Sequence, residues 1–75
     1  MKKELIINMS VVKEHGAVAA VVLAVIDNAY EPLSTTQVAD AVGVTYPTAQ
    51  KNLKILVGEG LIKEVGRHSA RFKNI

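Results

Sequence analysis

The chain contains no cysteine, which excludes a disulfide framework and any thiolate metal site. Its stability must come from apolar packing or from association of chains, and a reducing, cytoplasmic setting fits. It also lacks a long hydrophobic run. The longest, residues 17–26 (AVAAVVLAVI), is 10 residues, whereas a membrane-spanning helix needs about 20. A secretory leader is not expected either. Lys2 and Lys3 precede an apolar stretch, but Glu4 and Glu14 interrupt it, and cleavage after Ile26 would remove the helix on which the rest must pack. The mature chain is expected to be the whole chain. No nucleophile–base pair, metal cluster or phosphate-cradling glycine loop can be assembled from these residues, so neither an enzymatic activity nor a cofactor is expected. His15 has no second histidine or cysteine nearby in the sequence, and no metal is expected there. Asp27, Asp40, Glu59 and Glu64 form no acid/base pair and read as surface charges or helix-end partners. A chain of 75 residues supports one small domain with one core; no deep pocket and no small-molecule ligand are inferred.

What the sequence does hold is an uneven distribution of charge. Residues 1–42 carry three basic and five acidic side chains, net −2, whereas residues 43–75 carry six and two, net +4. A basic half suits contact with a phosphate backbone.

Local signals predict three helices. Ser10 is a plausible N-cap for a first helix over about residues 11–30, ended by Glu31-Pro32 because a residue before proline avoids the helical region. Val18, Val21, Val22, Val25 and Ile26 make that helix apolar almost all round, and such a helix is buried on more than one side. Two arrangements meet that need: a homodimer through residues 11–30, with or without the N-terminal arm, or residues 2–9 (KKELIINM) folding back over the second face. Those N-terminal residues read equally as a short strand, a helical turn or an arm. The second helix starts at a capping box, Ser34 with Gln37 three residues on. Val38, Ala39 and Val42 form its buried face, and Gly43 ends it, with Val44 plugging the corner to the next helix. The third helix begins at Thr45 or Tyr46, with Pro47 suited to the first turn. Ala49, Leu53, Leu56 and Val57 form its buried stripe. Tyr46, Thr48, Gln50, Lys51 and Lys54 lie opposite, with no acid before Glu59.

After Glu59-Gly60, residues 61–65 (LIKEV) and 70–75 (ARFKNI) alternate as two strands around the turn residues Gly66-Arg67-His68-Ser69. Ile62 and Phe72 are expected in the core, with Arg67 and Arg71 at or near the tip. Tyr30 is likewise expected to be a core residue at the end of its element. The predicted fold is mainly α with a small β-hairpin: a single domain of residues 1–75, with an arm or strand over 1–10, a helical core over 11–60 and a hairpin over 61–75.

From about Leu33 to its end, the chain resembles the winged helix-turn-helix superfamily of bacterial and archaeal regulators. Cap, glycine turn, third helix and basic hairpin follow in the right order. More narrowly, Gly43-Val44-Thr45-Tyr46-Pro47-Thr48-Ala49, with Leu53, Leu56, Glu59-Gly60-Leu61-Ile62 and the basic hairpin, is similar to the winged-helix domain often appended to the C-terminus of Fic-type adenylyl transferases. The Fic catalytic signature, a histidine-proline-phenylalanine segment with a glycine- and asparagine-rich anion loop, has no counterpart here, so adenylyl transfer is not implied.

The resemblance implies sequence-specific binding of double-stranded DNA by a small, dimeric transcriptional regulator, with the third helix in the major groove and the wing on backbone or minor groove. The exposed chemistry agrees. Gln50 suits bidentate bonding to adenine, and Lys51 donation to guanine O6 or N7. Thr45 and Thr48, with the amides of the helix start, suit phosphate oxygens. Tyr46 lies at the same end, Lys54 is placed for the backbone, and Arg67, His68 and Arg71 belong to the wing. The competing readings are a solvated surface for Lys51 and Lys54, corner packing for Tyr46 and a plain turn residue for His68. At the level of the whole chain, the alternative is a winged-helix module for protein contact that docks through its apolar first helix.

Overall fold

Asn8 starts the helical part of the chain: its Oδ1 accepts from the amides of Ser10 (3.0 Å) and Val11 (3.3 Å), satisfying two of the donors that a helix start leaves without a partner. The computed structural model describes residues 6–75, and residues 6–8 have no regular structure. The remainder of the segment expected to be a strand, turn or arm lies outside the described residues. Ser10, the expected cap, is inside the first turn of α1 (Met9–His15).

The single helix expected over residues 11–30 is two helices, α1 and α2 (Ala17–Asn28). The break is Gly16, at φ 90° and ψ 168°, a region that in effect only glycine enters because any Cβ would crowd the backbone. Through this corner α1 folds back onto α2. The second helix also ends before Pro32: Ala29 is already extended and closes α2 by donating to Ile26 O at 3.3 Å. Tyr30, expected in the core, therefore falls in the link and is 77% exposed.

The link leads into β1 (Leu33–Ser34), then α3 (Thr35–Val42), α4 (Tyr46–Gly58), β2 (Ile62–Val65) and β3 (Arg71–Asn74). The architecture is thus mainly helical with one small antiparallel sheet, in the order β1-β3-β2. The expected hairpin is present as β2 and β3. The strand β1 was not expected: two residues are too few to show alternation, yet Leu33 pairs with Phe72 and Ser34 with Arg71, so β3 is the central strand.

The capping box at the start of α3 forms as predicted. Gln37 N donates to Ser34 Oγ (3.2 Å), and Ser34 N donates back to Gln37 Oε1 (2.9 Å). The helix ends at Gly43 in the left-handed conformation (φ 82°). Val44 N then donates to Ala39 O at 3.0 Å, and Val44 packs against the core as anticipated.

The core gathers Val11 of α1, Ala19, Ala20, Val22, Leu23 and Ile26 of α2, Val38 and Ala39 of α3, Ala49, Leu53 and Leu56 of α4, and Ile62 and Phe72 of the sheet. Each fully buried valine, leucine or isoleucine among them contributes on the order of 1.5–3 kcal/mol over exposure. Most of the apolar surface of α2 is covered within one chain, because α1, α3, α4 and β3 pack about it, but Val18 remains 38% exposed. Helix α1 supplies much of the covering expected from a second copy or from residues 2–9. Among the described residues, no helix is long and apolar enough to cross a membrane.

Candidate nucleic-acid interface

Helix α4 buries Ala49, Leu53 and Leu56 completely, and that stripe dictates what faces solvent. Tyr46, Gln50 and Lys54 follow one another at four-residue spacing, which on a helix is one stripe. With Lys51 beside them, all four are exposed. One residue expected on the same face behaves differently. Thr48 is half-buried, and its hydroxyl accepts from Thr45 Oγ1 at 3.0 Å. The Thr48 carbonyl accepts from Nδ2 of the buried Asn52 at 2.8 Å. Thr48 is thus held by its neighbours, whereas Gln50 and Lys51 are exposed.

Thr45 occupies the N-cap position of α4, yet its side chain makes no capping bond and Pro47 sits in the first turn. Its hydroxyl turns to Thr48 instead. The first-turn amides of α4 thus have no side-chain acceptor, and a helix start in that condition favours an anion through its dipole and N–H groups.

The hairpin adds a second cationic surface. In the register of β2 and β3, Lys63 stands opposite Lys73 and Val65 opposite Arg71. Strand alternation puts these four on one face and Ile62, Glu64, Phe72 and Asn74 on the other. Ile62 and Phe72 are buried, so Lys63, Arg71 and Lys73 share the outward face, without an acid. Lys63 and Lys73 were not among the expected binding residues. Their two-residue spacing from Val65 and Arg71 was the available signal. Arg67 and His68 are exposed in the turn between the strands, as expected. Arg71 lies near the tip rather than at it: it opens β3, paired with Val65, and its Nη1 donates to Gln37 Oε1 (3.2 Å) and Pro32 O (3.5 Å). That guanidinium fastens the sheet to the cap of α3 while remaining exposed.

The two acids of this half stand apart from these surfaces. Glu64 is on the opposite face of the hairpin, and Glu59 is the C-cap of α4, 13 residues from Tyr46, or about 20 Å along a helix. At that far end Glu59 meets His15 and Glu14. Sequence proximity alone could not reveal both carboxylates near His15, because one of them arrives from a residue 44 positions away.

A scan of protein-family models and a search of the curated proteins each return no match for this chain.

Proposed function

We propose that the chain is a winged helix-turn-helix protein that binds double-stranded DNA, with α4 in the major groove and the β2–β3 hairpin as its wing. The observation that carries this reading is the pair of acid-free cationic surfaces: the Tyr46, Gln50, Lys51, Lys54 face of α4, and the Lys63, Arg71, Lys73 face of the hairpin with Arg67 and His68 at its turn. A major groove about 12 Å wide admits one helix, and residues at the N-terminal end reach base edges. Gln50 and Lys51 read bases in this arrangement. The uncapped start of α4, Lys54 and the wing cations hold phosphates, which position the protein without specifying sequence. Because most of α2 is covered by its own chain, leaving Val18 as its one large exposed apolar side chain, docking through that helix is the weaker reading. A dimer would set half-sites about one helical turn apart, and sedimentation of the complex reads that stoichiometry directly.

The test is fluorescence anisotropy of the purified chain with random and genomic duplexes at low salt. Undetectable binding to every duplex removes the proposal. If a preferred site emerges, Lys51→Ala or Gln50→Ala should weaken it by about 1–3 kcal/mol and relax the preference at one base pair.

A further inference from the structure

Helices α1 and α4 end at the same place, and each brings a carboxylate to His15. The imidazole Nε2 lies 3.7 Å from Glu14 Oε2 and 3.4 Å from Glu59 Oε1. It is buried and makes no hydrogen bond. The three potential ligand atoms fall within 4.8 Å of one another. We propose that His15, Glu14 and Glu59 bind a divalent transition-metal ion of the zinc class, which clips α1 to the C-terminal end of α4. This inference is independent of the DNA reading, since the site is at the opposite end of α4 from the residues that reading uses.

Three observations converge on it. The first is spacing. A charge-assisted N–H···O bond closes to about 2.7–2.9 Å, and both nitrogen–oxygen distances are longer. Two ligands held at about 2.1 Å on a tetrahedral ion stand about 3.4 Å apart; the His15–Glu59 spacing is 3.4 Å and the His15–Glu14 spacing 3.7 Å. The second is electrostatic. Glu14 is in the last turn of α1 and Glu59 caps the end of α4, where helix dipoles disfavour negative charge. Among the described residues, the only ion-pair partner of either carboxylate is His15, so two acids and two helix ends lie together without a lysine or arginine to offset them. The third is positioning. Glu59 N donates to Ile55 O (3.0 Å), Gly60 N to Val57 O (3.0 Å) and Leu61 N to Leu56 O (3.1 Å), a closed helix ending that holds Glu59 in place.

One imidazole with two carboxylates and no thiolate suits zinc and its neighbours better than magnesium or calcium, which favour all-oxygen shells. Three protein ligands leave a fourth tetrahedral position for water.

The experiment is calorimetric titration of the chelator-treated full chain with zinc chloride, paired with thermal melts at rising zinc concentration. The expected result is one ion per chain and a melting temperature that climbs with zinc, because only the folded chain assembles the site; magnesium chloride should leave it unchanged. Glu59→Gln and His15→Gln should each weaken binding at least about tenfold, while His68→Gln should bind as the parent does. Should His15→Gln fail to fold, Glu59→Gln alone decides. No saturable binding by the parent chain, or equal affinity in Glu59→Gln, would overturn the proposal and leave the cluster an ion pair.

Discussion

Lys63 and Lys73 face each other directly across β2 and β3, and both are exposed. Like charges in that relation oppose the sheet. At about 6 Å in water, two unit charges repel by about 0.7 kcal/mol, and screening over a Debye length of about 8 Å at physiological salt reduces this to about 0.3 kcal/mol. Replacing both with glutamine should therefore stabilise the fold slightly, raising the melting temperature by about 1–3 °C, and the gain should fade at high salt. If the pair contacts phosphates, the same change must cost affinity for DNA. The six cations of residues 43–75, all engaged, give a slope of log K against log salt of about −5, and losing two reduces it to about −3.5. Between 50 and 200 mM salt, the parent should then lose affinity about 1,000-fold and the variant about 130-fold. Circular-dichroism melts and anisotropy titrations at four salt concentrations measure both effects. A variant that is more stable but has an unchanged slope would refute a role for this face in DNA contact. A variant that is less stable would refute the electrostatic argument.

Other perturbations test the scaffold. A Cβ at Gly66 (φ 110°) would collide with the Ser69 carbonyl oxygen, so Gly66→Ala should cost about 1–3 kcal/mol, read by urea denaturation, with the hairpin amides losing hydrogen-exchange protection first. Ser34→Ala removes half of the capping box and should cost about 1 kcal/mol in the same assay without changing the slope of the transition. Leu53 is fully buried, and Leu53→Ala should cost about 2–5 kcal/mol; a loss below 1 kcal/mol in denaturant titration would contradict the core described here.

Where one side chain and its immediate neighbours decide the outcome, the chain can be read directly. Ser34 with Gln37, Gly43 before Val44, the stripe of Ala49, Leu53 and Leu56, and the turn from Gly66 to Ser69 are all of this kind. Where the outcome depends on residues far apart, local patterns fail. Gly16 sits among helix formers, and its corner becomes favourable only because α1 can then cover α2. The first-helix signals around Ser10 were legible, but Asn8 offered an equally good oxygen two residues earlier. Leu33 and Ser34 form a strand only because Phe72 and Arg71 come to meet them. Most of the candidate DNA face was legible for the same local reason, since the buried stripe of α4 dictates its opposite side. Long-range pairings hid the rest: Arg71 on Gln37, Lys63 beside Lys73, and His15 beside Glu59.

The central position of β3 has a further consequence. A two-stranded hairpin projecting from a helix would swing, and any partner that gripped it would have to stop that motion at an entropic cost. Here β1 holds the opposite edge of β3, and Arg71 bonds to the start of α3. The hairpin and the helix pair α3–α4 are thereby preorganised as one rigid body, so more of the energy of each contact is retained as affinity. The segment from Pro32 to Gln37, which carries no residue proposed to touch DNA but bonds directly to Arg71 of the wing, thus governs how tightly the proposed surfaces would hold a duplex.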